Sequence, residues 1–297
     1  MNYDFDTFVP RRGTDCEKWD LPAEDGVLPL WVADMDFRAA PAIVDALRRR
    51  VDEGVFGYAL PPPSWHESLV RWLARRHGWK IGLDSILDAT GVIPALAATI
   101  RAFCKPGDKV IIQPPVYNCF YSVIHDQGCT IVENRLRRIP VPDGAEGDFS
   151  YEINFEDLEL KAVDAKLLVL SNPHNPAGRA WCADELRRVG EICLRHGVFV
   201  ASDDIHADLQ MPDSRHVPFA SLEATYLAWV DISALNVPSA ELARRLEQEA
   251  KVKFSPGAIY GEEKGATYLR INLACSRTTL LEALERTASF INGLKRK

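Results

Sequence analysis

The chain has 297 residues, 47% of them hydrophobic and 26% charged, enough apolar side chain for a large core or two modest ones, which excludes a disordered or fibrous protein. Thirty-five Lys and Arg against 42 Asp and Glu give a net charge of -7, with no basic run beyond Lys295-Arg296-Lys297, so no nucleic-acid partner is expected. The opening Met1-Asn2-Tyr3-Asp4-Phe5-Asp6 has no basic-then-apolar leader and no apolar run nears the roughly 20 residues that span a bilayer, which reads as a cytoplasmic chain with no membrane partner. Seven cysteines without a CxxC pair read as reduced, mostly packed thiols.

Residues 1–40 are irregular and rich in Pro, Trp and acids, and read as an N-terminal arm. From Pro41 apolar residues recur at helical spacing (Ile43, Val44, Leu47, Val51) up to Gly54. Phe56-Gly57-Tyr58 and three prolines form a loop, and Ser64-Trp65-His66-Glu67 reads as a capping box that opens a helix. Five short apolar runs then have strand composition, at 86–89, 109–113, 130–133, 166–171 and 198–202. Helical segments fit at 94–104, 117–126, 155–162 and 183–195. Strands alternating with helices predict an α/β fold, a parallel sheet with helices on both faces, for a large domain over 41–221. Beyond it, a strand at 225–232, a helix at 239–250, a strand at 267–273 and a helix at 278–292 closed by Gly293 predict a small α+β domain over 222–297.

Open parallel sheets bind ligands beyond the carboxyl ends of their strands. Thr90-Gly91-Val92-Ile93-Pro94 is a glycine turn into a helix, where free amides and the helix dipole suit a phosphate. Gln113-Pro114-Pro115-Val116-Tyr117 aims Tyr117 at the sheet top. Asn172-Pro173-His174-Asn175-Pro176-Ala177-Gly178, with two Asn-Pro pairs, is a stiff loop that presents amides and carbonyls in fixed directions. In Ser202-Asp203-Asp204-Ile205-His206-Ala207-Asp208, strand alternation puts Asp204, His206 and Asp208 on one face and Asp203 on the other. Two chemistries are open here: three ligands for a metal used in hydrolysis, or one carboxylate holding a proton on a heteroaromatic nitrogen so that the ring becomes an electron sink. No second ligand cluster such as HExxH accompanies the first.

Together these segments resemble the fold-type I pyridoxal-phosphate enzymes, specifically the aminotransferase-like carbon–sulfur β-lyases of the MalY/PatB type. The resemblance rests on Leu30-Trp31-Val32-Ala33-Asp34-Met35-Asp36-Phe37, Phe56-Gly57-Tyr58, Thr90-Gly91, Pro115-Val116-Tyr117, residues 172–178 and 202–208, Ala224-Thr225-Tyr226-Leu227-Ala228-Trp229, Ser255-Pro256-Gly257 and Leu269-Arg270-Ile271-Asn272. It implies that Asp203 pairs with the pyridine nitrogen, Asn175 donates to the phenolic oxygen, Tyr117 stacks on the ring, and His206 lies beside the phenolic oxygen. It further implies that the amides of Gly91 and Val92 cradle the phosphate, and that Tyr58 reaches the phosphate of a neighbouring subunit in a homodimer. Arg270 would grip a substrate carboxylate, and Trp31 and Asp36 would line the substrate mouth. The implied reaction is β-elimination from a small sulfur-containing amino acid such as cystathionine, giving thiol, pyruvate and ammonia.

One part of the family pattern is missing. Relatives carry a Ser-x-Ser-Lys-like motif whose lysine forms the Schiff base and moves the α-proton. Here His216-Val217-Pro218-Phe219-Ala220-Ser221 runs almost directly into Glu223-Ala224-Thr225-Tyr226, and none of the eleven lysines fits that motif. The resemblance therefore implies an internal deletion of about a hundred residues, a sizeable share of a typical domain. It also implies a central sheet short of two strands, and impaired activity. A non-catalytic remnant that binds or regulates a partner, and an aminotransferase on the same scaffold, are the alternatives.

Overall fold

Four of the five expected strands form, and they form one parallel sheet. The computed structural model describes residues 3–21, 26–141, 148–212, 214–222, 227–260, 265–272 and 277–294. Its chain falls into two compact units, 1–63 and 64–297.

In the first unit the short helix α1 (Glu17–Asp20) is followed by α2 (Pro41–Glu53), which Gly54 closes in the left-handed conformation at φ 69°. A partly exposed charged knot ties this unit together around the buried Lys18. Both carboxylate oxygens of Asp36 are held, one by Arg11 and the Trp19 indole and the other by Lys18, each at 2.8 Å. These bonds, led by that from Lys18, keep the Asp36 carboxyl far below the usual range.

In the second unit α3 (Pro63–His77, all but its first residue in this unit) precedes α4 (Val92–Phe103), β1 (Lys109–Ile112), α5 (Cys119–Asp126) and β2 (Thr130–Glu133). Then come the antiparallel hairpin β3 (Arg137–Pro140) and β4 (Phe149–Glu152), α6 (Phe155–Ala162), β5 (Ala165–Ser171), α7 (Ala183–His196) and β6 (Phe199–Asp203). The sheet order is β2-β1-β5-β6, all parallel. Period-two alternation sorts its side chains between two cores. Ile111, Leu168 and Leu170 face α6 and α7, where Leu158, Leu186, Val189 and Ile192 are buried. Val110, Ile112, Leu167 and Val169 face α4 and α5, meeting Ile100, Phe120, Val123 and Ile124. Both faces are covered, as the apolar composition of the strands requires.

Further along, besides short 3₁₀ turns, come β7 (Leu227–Asp231), α8 (Ser239–Arg245), β8 (Ser255–Pro256), β9 (Tyr268–Asn272) and α9 (Arg277–Leu294). The three strands form an antiparallel sheet in the order β7-β9-β8, over a core of Ile232, Leu242, Leu246 and Leu269.

Several sequence expectations are corrected. Residues 86–89 are not a strand: they join no described sheet, Leu87 is 94% exposed, and the Asp88 carboxylate meets Trp65 Nε1 at 3.1 Å and His66 Nε2 at 2.9 Å instead. Apolar composition cannot make a strand where no edge is in register to receive it. The Ser64 capping box does not form, because Pro63 takes the first helical turn, as its fixed φ favours, and Ser64 lies inside α3 with its carbonyl accepting Ser68 Oγ. A capping box forms instead on α7, where the Cys182 N–H donates to Glu185 Oε2 at 2.8 Å. The helix expected at 239–250 widens to a π turn over Leu246–Ala250, and α9 runs one residue past Gly293. The β3–β4 hairpin was not anticipated. Thr225, Tyr226 and Cys275 lie outside the described residues.

Candidate functional site

The carboxyl ends of β1, β5 and β6 carry the distinctive loops, and hydrogen bonds tie the last two together. Ser171 stands opposite Asp203 in the β5–β6 register. The ladder continues one residue further, Asn172 N–H donating to the Asp203 carbonyl at 2.9 Å. The Asn172 side chain, with no exposed surface, accepts from Trp181 N–H at 3.3 Å and donates to the Val217 carbonyl at 2.9 Å and to Asp204 Oδ1 at 3.5 Å. Asn175 is held through its own N–H, which donates to Ser171 Oγ at 3.1 Å. The side-chain amide of Asn175 is half-buried and engaged by no described residue, so it remains free for a ligand.

Asp203 ends β6. One carboxylate oxygen accepts Ile205 N–H at 3.1 Å, and the other is bonded by no described residue. Burial pushes this carboxyl up, opposed by the Ile205 N–H and by the nearby His206. The Tyr117 phenol is also pushed up, first by a hydrogen bond with the Cys119 thiol, then by burial and by the charges of Cys119 and Asp203. Tyr117 and Asp203 therefore lie within electrostatic reach. The Tyr117 ring rests edge-on against Phe120, 5.8 Å between centroids.

Gly91 precedes α4 in extended conformation, φ 168°. The Ala95 N–H is the first to close onto the Gly91 carbonyl, so the amides of the first turn, Val92 included, are left for an outside acceptor. The other end of α4 is fixed: Phe103 stacks on Phe199, the first residue of β6, at 3.9 Å and 12°. Twelve residues of helix are about 18 Å long and five of strand about 16 Å.

The alternation expected for 204–208 does not hold. The strand stops at Asp203 and the chain turns over 205–208, so Asp204, His206 and Asp208 share no strand face. Asp208 accepts instead from Trp72 Nε1 at 2.9 Å and pairs with His77 Nε2 at 2.8 Å. Among the described residues no group of three His, Cys, Asp or Glu side chains could hold a metal. Asp204 turns inward, toward Ser202 Oγ at 3.3 Å and His216 Nε2 at 3.4 Å. Burial lifts its carboxyl to about 7, helped by the Asp203 charge.

Of the remaining expected site residues, Trp31, Asp36 and Tyr58 belong to the first unit. Trp31 is half exposed, with its indole donating to the Lys18 carbonyl at 3.2 Å, and Tyr58 is fully exposed. Arg270 lies on β9 opposite Trp229, its side chain outside the described residues. The sequence gives no individual role to Asn172, His174, Trp181 or His216, which join the loops; the bonds of Asn172 to the Val217 carbonyl and of His174 to the Gln113 carbonyl, 45 and 61 residues away, are a signal no local pattern carries.

The aminotransferase class I and II family model matches residues 26–224. The chain belongs to that family. It is 33% identical to the cystathionine β-lyase PatB of Bacillus subtilis over 97% of this chain and 100% of that protein, and 25% identical to protein MalY of Escherichia coli over 99% of each. Among solved structures it matches cystalysin from Treponema denticola, which contains a pyridoxal 5'-phosphate cofactor, with a TM-score of 0.68, 28% identity and full coverage of both chains. It also matches a PLP-bound putative aminotransferase from Clostridium difficile with a TM-score of 0.68 and 32% identity, over 98% and 100%. The fold-type I architecture expected from the sequence is therefore that of this chain. The alignment with PatB runs over 394 positions against 297 residues here, so on the order of a hundred positions of that family member have no counterpart.

The described residues fit the non-covalent half of a pyridoxal-phosphate site. A half-buried carboxylate with one free oxygen, a free amide at Asn175, an aromatic face at Tyr117 and an open helix terminus at Val92 suit a ring nitrogen, a phenolic oxygen, a ring face and a phosphate. The covalent half is not matched: no described lysine bonds to any of these residues. Lys18, Lys109, Lys161 and Lys253 are paired with Asp36, Asp164, Asp157 and Glu247.

Proposed function

We propose that this chain binds pyridoxal 5'-phosphate as a member of the carbon–sulfur β-lyase branch of its family, and that its turnover of sulfur amino acids such as cystathionine is strongly reduced. When bound, the cofactor supplies an electron sink for the substrate's α-carbon. Asp203 holds the ring-nitrogen proton, Asn175 donates to the phenolic oxygen with His206 beside it, Tyr117 covers the ring face, and the Gly91–Val92 turn receives the phosphate. Arg270 binds the substrate carboxylate, a task for which its planar fork suits it better than lysine. Free thiols at six described cysteines suit the cytoplasm. The exposed Val55, Phe56, Tyr58 and Leu60 support a homodimer in which Tyr58 serves the neighbour's site.

The observation that supports this reading is Asp203 at the tip of its strand, with one carboxylate oxygen bonded by no described residue and its carbonyl accepting from Asn172 N–H at the start of the Asn175 loop. The lowered turnover follows from the missing lysine, since general acid–base help alone is worth about 10²- to 10⁴-fold. The test is to titrate the purified chain with pyridoxal phosphate, treat it with borohydride, and assay pyruvate from cystathionine. Saturable binding without one labelled lysine, and little pyruvate, is expected. Stoichiometric labelling of a single lysine with brisk pyruvate release would overturn the impaired reading. Absence of binding would overturn the cofactor, leaving the non-catalytic alternative.

A further inference from the structure

His174 is 2% exposed, and its ring is held by a hydrogen bond at one nitrogen and by packing against Trp181. Nε2 lies 3.1 Å from the Gln113 carbonyl oxygen. A carbonyl can only accept, so Nε2 carries the proton and Nδ1 the lone pair. The ring meets the buried Trp181 edge-on at 5.6 Å and 80°, and the Trp181 indole donates to the Ser171 carbonyl at 3.0 Å. The backbone is pinned as well, His174 N–H donating to the Arg179 carbonyl at 2.6 Å and Gly178 N–H to the His174 carbonyl at 2.8 Å. Gln113 is itself anchored, its Nε2 donating to Asn134 Oδ1 at 2.9 Å.

His174 Nδ1 finds no hydrogen-bond partner in this buried position. An unpaired buried acceptor costs about 1–3 kcal/mol, which an apolar ring of similar shape would avoid. What the imidazole adds is the Nε2–H, which crosses from the loop after β5 to the tip of β1. The residue after His174 is Asn175, and four residues after Gln113 stands Tyr117.

We propose that His174 is a positioning residue for the cofactor site: by donating Nε2–H to the Gln113 carbonyl it sets the separation between the Asn175 loop and the Tyr117 loop. The inference rests on the cofactor reading above for its functional consequence, and on the hydrogen bond alone for its structural one. Burial holds the imidazole pKa down to about 4, so the donor is neutral and unchanged in the working range of such a site.

The experiment compares the full chain with His174→Phe, which keeps a ring and removes the donor, and His174→Gln, which keeps an N–H donor. Amide hydrogen exchange of segments 113–119 and 172–178 is followed alongside pyridoxal phosphate titration. One hydrogen bond is worth about 2- to 10-fold. Exchange in both segments and the dissociation constant should rise by roughly that factor in His174→Phe and return to wild type in His174→Gln. Unchanged exchange at 113–119 in the Phe variant, or no recovery in the Gln variant, overturns the proposal. If wild type binds no pyridoxal phosphate, the cofactor reading fails while the exchange data still decide the coupling of the loops. If the Phe variant does not fold, the imidazole nitrogen shifts of the wild-type chain decide. A neutral Nε2–H tautomer down to pH 5 supports the proposal, and an Nδ1–H tautomer overturns it.

Discussion

Ser171 and Asp203 face each other at the last rung of the β5–β6 ladder, and Asn172 adds one more hydrogen bond to the Asp203 carbonyl at 2.9 Å. A parallel pair that ends in register delivers both following loops to one place, so the Asn172–Gly178 loop and the Asp203 carboxylate are held by the same strand edge. Any ligand gripped by Asn175 and Asp203 is gripped by a rigid frame.

Asp203→Asn keeps the shape and the contact with Ile205 N–H but removes the charge. A hydrogen bond to a charged group is worth about 1.5–3 kcal/mol, so pyridoxal phosphate should bind about 10- to 100-fold more weakly. Fluorescence titration measures it. An unchanged dissociation constant would remove Asp203 from the cofactor's reach.

Asn172→Ala strands two partners, the buried Trp181 N–H and the half-buried Val217 carbonyl. The expected loss of stability is about 2–4 kcal/mol, read as a lower midpoint in urea with an unchanged slope. A loss under about 0.5 kcal/mol would mean that water reaches both groups.

Trp181 has no exposed surface and closes the core beneath the loop. Trp181→Ala should cost about 3–5 kcal/mol through the cavity it leaves. Trp181→Phe loses only part of the volume and the bond to the Ser171 carbonyl, and should cost less. Equal losses in thermal unfolding would show that the indole N–H, not the packing, carries the effect.

The pH dependence of stability should change in Asp204→Asn. The Asp204 carboxyl is lifted from 3.8 to about 7, chiefly by burial. Its contribution is complete below the unfolded value and is lost as pH rises through about 7. His174 and His216 are held down to about 4, both chiefly by burial, and their contributions are lost as pH falls from 6.5 through about 4. The two effects oppose each other between pH 4 and 6.5. Removing Asp204 should therefore make stability climb more steeply with pH across that window than in wild type. Denaturation midpoints at pH 4.5 and 6.5 test this, and identical slopes for the two proteins would contradict it.

Much of the second unit was legible because its signals are local. The apolar runs at 109–113 and 166–171, the helical spacing of Leu186, Val189 and Ile192, and the prolines around Asn175 each announce their element through near neighbours. The loops that resemble a cofactor site were legible for the same reason, since a rigid turn is written in consecutive residues. The pattern failed where the outcome depended on a distant partner. Residues 86–89 have strand composition and no strand, and Asp208 leaves the face predicted for it because Trp72 and His77 claim its carboxylate.

By itself the sequence determined the alternation of elements, the turn chemistry at the strand tips and the membership that those motifs disclose. Tertiary structure alone decided which strands found partners, which carboxylates were buried and which loops were bonded together. The reason is physical: periodicity and backbone stiffness belong to neighbouring residues, whereas a ladder, a displaced pKa or a buried hydrogen bond such as that of His174 exists only once segments 61 residues apart have met.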